Sequence, residues 1–251
     1  MSIWLDNASK EAVDRFWQLC GETELFPRNL ERSVALALPL SVIKLPRLKL
    51  NHIENWLAQH CVNFSFGCTT RAVRGCLVAF KGDGLIFLDG TDAEEEQRMT
   101  LAHEIGHFMM DYLWPRQKAI QKLGGRITEV LDGLRRPILT ERVDSLLAET
   151  ATTVFTKLVE RDNTTAEYES VWIIEDRADR VALALLAPPE VVLNMADVSA
   201  ESFEKREEEL TTMLKTQFGL PVPAAIAYAK QLLNSIGRGP SWTERFRLSR
   251  L

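Results

Sequence analysis

The chain has 251 residues, 46% of them hydrophobic and 26% charged, with a formal net charge of −5 and a pI near 5.5. That is enough material for one domain with a proper core, or one domain with a helical appendage, and the acidic balance argues against a stand-alone nucleic-acid binder. Only the final stretch, RGPSWTERFRLSRL, is basic, through Arg238, Arg245, Arg247 and Arg250, and it reads as a solvated tail. The start, MSIWLDNASKEAVDRF, lacks the basic and long apolar regions of a signal peptide, and no apolar run reaches membrane-spanning length. Cys20, Cys61, Cys68 and Cys76 contain no CxxC pair, so reduced thiols in a cytoplasmic protein are expected, with no membrane partner.

In chain order, residues 9–21 and 50–60 read as amphipathic helices, the second carrying Ile53, Trp56 and Leu57 on one face. The pattern then shifts to β-branched and aromatic segments at 61–66, 74–80 and 84–90, punctuated by Gly67, Gly75 and the hairpin-like Gly82-Asp83-Gly84. Asp92 and Glu95 suggest a capped helix start, and Glu94 to Glu96 suit the dipole of a helix running from about 93 to 113, stopped by Pro115. Gly124-Gly125 marks a break. Helices are predicted at 138–160, 167–187, 200–217 and 222–235, with Pro188-Pro189 ending the second. The class is α+β: a small antiparallel three-stranded sheet packed on helices, with residues 1–190 as the main domain and 191–251 as a helical extension on the same core.

The chemistry concentrates in TLAHEIGHFMMDY, residues 100–112. Residues four apart share a helix face, so His103 and His107 offer two imidazoles to a single ion. Glu104 lies about 100° further round the axis, where it can reach a water but not easily the ion. This is the H-E-x-x-H arrangement of two ligands and a general base, suited to Zn2+. An ordinary apolar helix with two core histidines is the plain alternative, against which stand the expense of three buried ionisable groups and a glycine, Gly106, in the helix interior.

Catalytic zinc needs a third protein ligand. His52 and His60 lie on a helix expected to face solvent. Glu175, in WIIEDRADRVALALLAPP, sits on a face with Ala178, Asp179, Ala182 and Leu185, small enough residues for close helix packing. Glu175 is the preferred ligand, with Asp176 and Asp179 as fallbacks. Asp179 is also placed to accept a ligand histidine's Nδ1–H. The competing reading takes EDRADR as a solvated charged patch.

These two segments, with the preceding GCLVAFKGDGLIFLDG, resemble the ImmA/IrrE family of metallopeptidases over about residues 50–115 and 170–190. His103, Glu104 and His107 match the family's first helical motif. Glu175, Ala178, Leu185, Leu186 and Pro188 match its second. Val181 and Ala187 depart from it, where phenylalanine and methionine are usual, and the insert between the motifs is long. The resemblance implies a zincin-like helical domain with a gluzincin-like third ligand. It implies a cytoplasmic zinc endopeptidase cutting a helix-turn-helix repressor, so derepressing stress, mobile-element or anti-phage defence genes. Direct nucleic-acid binding is not expected, although a regulatory nucleic-acid ligand is compatible with it. A non-proteolytic repressor-binding module and a small-molecule zinc hydrolase are the alternatives.

Three further expectations attach to the site. The strand at 74–80 is taken as the sheet edge that receives an extended peptide. Tyr112, Tyr168 and Tyr228 are candidate oxyanion donors. Cys76, at the start of that strand, is a candidate latency ligand to the metal, or simply a small buried apolar residue.

Overall fold

The computed structural model describes residues 5–21, 25–67, 70–138, 154–160, 169–200 and 202–241. Chain order begins with α1 (Asn7–Cys20), α2 (Leu30–Ala37), β1 (Leu40–Leu45) and α3 (Leu50–Gln59). The hairpin β2 (Val73–Phe80) and β3 (Asp83–Asp89) follows, then α4 (Glu94–His107). A π-helical turn (Phe108–Leu113) runs into α5 (Trp114–Leu123), and a 3-10 turn leads to the short α6 (Thr128–Leu131). Strand β4 (Phe155–Glu160) precedes α7 (Glu169–Leu186), α8 (Pro189–Met195), α9 (Phe203–Thr216) and α10 (Val222–Ser235).

The α+β class holds, but among the described residues the sheet has four strands in the order β1-β3-β2-β4, not three. It is mixed: β1 runs parallel to β3, and the other two pairings are antiparallel. The segment 61–66 is not a strand. Its Phe64 and Phe66 rings pack edge to face at 4.9 Å, and Glu54 of α3 accepts bonds from Ser65 Oγ and the Phe66 N–H. Packing and side-chain capping hold it where strand pairing was expected. Two strands lie outside the three predicted strand segments, one where no element was predicted and one inside a predicted helix. Leu40–Leu45 pairs with β3 in register Leu40↔Gly84 to Leu45↔Asp89, and Phe155–Glu160 is strand inside the predicted 138–160 helix, whose remainder falls largely outside the described residues.

Side-chain alternation on the strands divides the interior into two layers. Leu77, Ala79, Ile86 and Leu88 face α4 and α7 in the larger cluster, which also takes in Phe16 of α1 and Leu214 and Tyr228 of the C-terminal helices. Val73, Cys76, Val78 and Phe87 face the other way, onto Leu48, Leu50, Ile53 and Leu57 around α3. Between them, the Asp89 carboxylate ties the end of β3 to the chain beyond β1. It accepts bonds from the N–H groups of Arg47, Leu48 and Thr91 and from the Thr91 hydroxyl.

Helix α4 starts at Glu94 with Ala93 at the N-cap and no side-chain cap, so Asp92 does not play the expected role; Glu94, Glu95 and Glu96 do fill the first turn. Pro115 does not stop the helix. The ladder widens ahead of it, with the Trp114 N–H bonded to Met109 O, five residues back. That π-type turn leads into α5, in whose first turn Pro115 sits, where a missing N–H is tolerated.

Two glycines set how closely α4 and the π-helical turn approach their neighbours. A Cβ on Gly106 would lie 3.2 Å from Ala178 O and 3.5 Å from Val181 Cβ, so this glycine admits the backbone of α7. A Cβ on Gly84 would lie 2.6 Å from the fully buried Phe108 ring. Gly84→Ala is therefore expected to destabilise the fold by about 1–3 kcal/mol, the usual range for overpacking. A lower urea midpoint with an unchanged m-value is the outcome that checks it.

Candidate metal centre

The α4–α7 packing brings the two sequence motifs together. His103 Nε2 and His107 Nε2 are 3.0 Å apart, and Glu175 Oε2 lies 3.2 and 3.3 Å from them. Among the described residues, His103, His107 and Glu175 form the one His/Cys/Asp/Glu group compact enough to hold an ion. His103 and His107 are buried; Glu175 is partly exposed, so the cluster opens to solvent at its α7 side.

Each imidazole is aimed by a carboxylate behind it. His103 Nδ1–H donates to Asp179 Oδ1 at 2.7 Å, one helical turn beyond Glu175. His107 Nδ1–H donates to Asp111 Oδ2 at 2.6 Å, and the other oxygen of Asp111 accepts from Arg177 Nη2. With Nδ1 occupied on both rings, both Nε2 atoms turn toward Glu175, the tautomer that metal-ligating histidines adopt. Lys157 Nζ of β4 donates to Glu175 Oε1 at 3.1 Å, leaving Oε2 for the cluster.

Three donor atoms converging at 3.0–3.3 Å are the pattern expected around a shared cation. Burial opposes the charged form of His103, yet its hydrogen bonds to Asp179 and Glu175 prevail and hold its pKa at about 10. The His107 pKa is likewise raised, the bonds to Asp111 and Glu175 outweighing burial. Burial pushes Glu175 up, but hydrogen bonds from His103 and His107 dominate and hold it well below the usual carboxylate range.

Glu104 is different. It is fully buried, and neither carboxylate oxygen has a hydrogen-bond partner among the described residues. Burial lifts its pKa to about 7 against the pull of His107 and His103. Gly75 makes the room: a Cβ there would lie 3.4 Å from Glu104 Oε1 and 2.4 Å from Thr100 Cγ2. An unpaired buried carboxylate beside a triad of ligand atoms is expensive unless it has a partner in function. These donors, two imidazoles and a carboxylate with both rings oriented from behind, fit a zinc ion.

Neither the protein-family models nor the curated proteins searched gave a match to this chain. What the site can do follows from its own geometry.

The remaining sequence candidates fall elsewhere. Cys76 is fully buried on the α3 side of the sheet, among Val73, Val78 and Phe87, and lies outside the ligand group; burial raises its thiol pKa well above the ordinary value, which disfavours the thiolate a metal would need. Asp176 pairs with Arg180 at 2.8 Å. His60 is exposed and stacked on Trp56, and neither it nor His52 joins the cluster. The Tyr112 hydroxyl accepts the Gly82 N–H and that of Tyr228 donates to Ala187 O, so both are engaged with backbone outside the ligand group; Tyr168 lies outside the described residues. Asp111, Arg177 and Lys157 were not anticipated. Asp111 had a signal, since it stands one turn after His107 just as His107 stands one turn after His103.

Asp111→Asn tests the orienting role. If the triad holds a divalent ion, the substitution is expected to weaken its binding about 10- to 100-fold with the fold retained. Competition with a chromophoric chelator measures it, and wild-type affinity in the variant would remove Asp111 from the site.

Proposed function

We propose that this chain is a zinc-dependent, site-specific endopeptidase of zincin-like build that cleaves a helix-turn-helix repressor, as its resemblance to the ImmA/IrrE family suggests. One observation carries the reading: the buried carboxylate of Glu104, without a hydrogen-bond partner among the described residues, beside the converging Nε2 atoms of His103 and His107 and Oε2 of Glu175. A pure binding module has no use for such a carboxylate.

His103, His107 and Glu175 would hold the ion, which when bound supplies Lewis-acid polarisation of a carbonyl and a more acidic water. Glu104 takes the proton of the attacking water and passes it to the departing amine nitrogen, a task suited to a buried carboxylate whose proton affinity is raised by burial. Asp179 and Asp111 keep the imidazoles in the ligating tautomer.

An extended peptide needs a free strand edge. The expected edge, 74–80, is unsuitable, because β2 lies between β3 and β4 in the interior of the sheet. Among the described strands, β4 is the edge nearer the cluster, since its Lys157 touches Glu175, and it is where substrate would dock.

Co-expression with a helix-turn-helix repressor encoded beside this chain tests the reading. Cleavage at one site, lost in Glu104→Gln and in chelator-treated lysate, is the supporting result. An intact repressor under every inducing condition, DNA damage included, counts against the substrate assignment.

A further inference from the structure

We propose that Lys157 is a positioning residue for the metal centre, one that restricts Glu175 to ligation through a single oxygen and so keeps a coordination position open for the reacting groups. The inference rests on the zinc-site reading above and adds a residue that neither helical motif contains.

Lys157 stands opposite Leu77 in the β2–β4 pairing, and Leu77 belongs to the layer that faces α4. Alternation therefore turns Lys157 toward the cluster, while its neighbour Leu158 packs on the α3 side. A lysine on the inner face of an edge strand is costly unless its ammonium finds a partner. Here Nζ reaches Glu175 Oε1 at 3.1 Å, and the lysine side chain is only 22% exposed.

The two oxygens of Glu175 have thus separate duties. Oε2 faces the two Nε2 atoms and Oε1 faces the ammonium. A free carboxylate can bind a cation through one oxygen or both. An ammonium engaged on Oε1 makes the two-oxygen mode unfavourable, both by occupying a lone pair and by placing positive charge where the ion would have to move. Two imidazole nitrogens and one carboxylate oxygen then leave zinc its usual fourth position. The device also ties the ligand set to β4, the strand proposed to receive substrate, so that a shift of this strand alters the grip on Glu175.

The test uses Co2+ as a spectroscopic probe, titrated into the metal-free full-length protein and into Lys157→Met, Lys157→Gln and Lys157→Arg. Wild type is expected to show the strong visible absorption of low-coordinate Co2+. The Met and Gln variants should lose most of that intensity, as the second carboxylate oxygen enters, and should bind Co2+ about 10- to 100-fold differently from wild type. Arg should restore both. Thermal melting of the metal-free proteins separates this from misfolding, and the milder Gln variant covers a failure of Met to fold. Unchanged spectra and affinity in Met and Gln overturn the role of Lys157 while leaving the metal centre intact. A wild type that takes up no Co2+ or Zn2+ overturns the metal reading and this proposal together.

Discussion

Glu104→Gln is expected to lower the turnover of a cleavable peptide or repressor about 10²- to 10⁴-fold, the range for losing a general acid–base group, while the bound metal stays at one ion per chain. The two halves of this outcome discriminate. Glutamine fills the same volume behind Gly75, so the space measured there remains occupied and the α4–sheet contact survives. It cannot take a proton from water. A drop confined to kcat, with metal content unchanged and a melting temperature no lower than that of wild type, assigns Glu104 to proton transfer. The neutral amide also relieves the burial of a carboxylate with no hydrogen-bond partner among the described residues, so the variant is expected to be at least as stable as wild type. Loss of metal on substitution would instead make Glu104 a ligand or a ligand support, and full activity would end the peptidase mechanism proposed here.

What could be read from sequence is what depends on local spacing. Four-residue separation brought His103 and His107 onto one face, and Glu175 and Asp179 onto another, and both pairs meet where α4 and α7 pack. Gly106 was visible as a helix-interior glycine needing a reason, and the reason is the backbone of α7 at Ala178. The hairpin of β2 and β3 was legible from its glycine-containing turn. What local pattern could not supply is the partner of each strand. β1 pairs with β3 in parallel across α3 and β2, a non-local choice, and β4 reaches β2 across the long insert between the motifs. Missing β4 had a specific consequence: it made β2 look like an edge, and it hid Lys157 from the site. Cys76 shows the same limit: of its two readings, the structure matches the small buried apolar residue. Placing a residue on a strand near the active helix does not say which face it occupies, and one position in either direction reverses the answer.

Zinc uptake near pH 7 is expected to release at least one proton per ion and to raise the melting temperature, with affinity climbing about tenfold per pH unit for each proton displaced. The sign follows from the metal-free site. His103 is held protonated up to about pH 10 by Asp179 and Glu175, so at neutral pH its Nε2 must give up a proton before it can ligate. Its raised pKa stabilises the metal-free fold fully below its unfolded value near 6.5, and that contribution disappears as pH rises through about 10. Glu175 acts in the opposite window: its depressed pKa stabilises the fold above about 4.5, and the contribution goes as pH falls toward the depressed value. Metal-free protein should therefore lose stability at both extremes. The metal-bound form should gain most over it on the alkaline side, where no proton competes. Calorimetric titration with Zn2+ in two buffers of different ionisation enthalpy counts the released protons, and melting curves across pH with and without chelator measure the gap. Binding without proton release would mean that His103 Nε2 is not where the metal sits, since the hydrogen bonds that orient this ring are the same ones that keep it charged until the metal arrives.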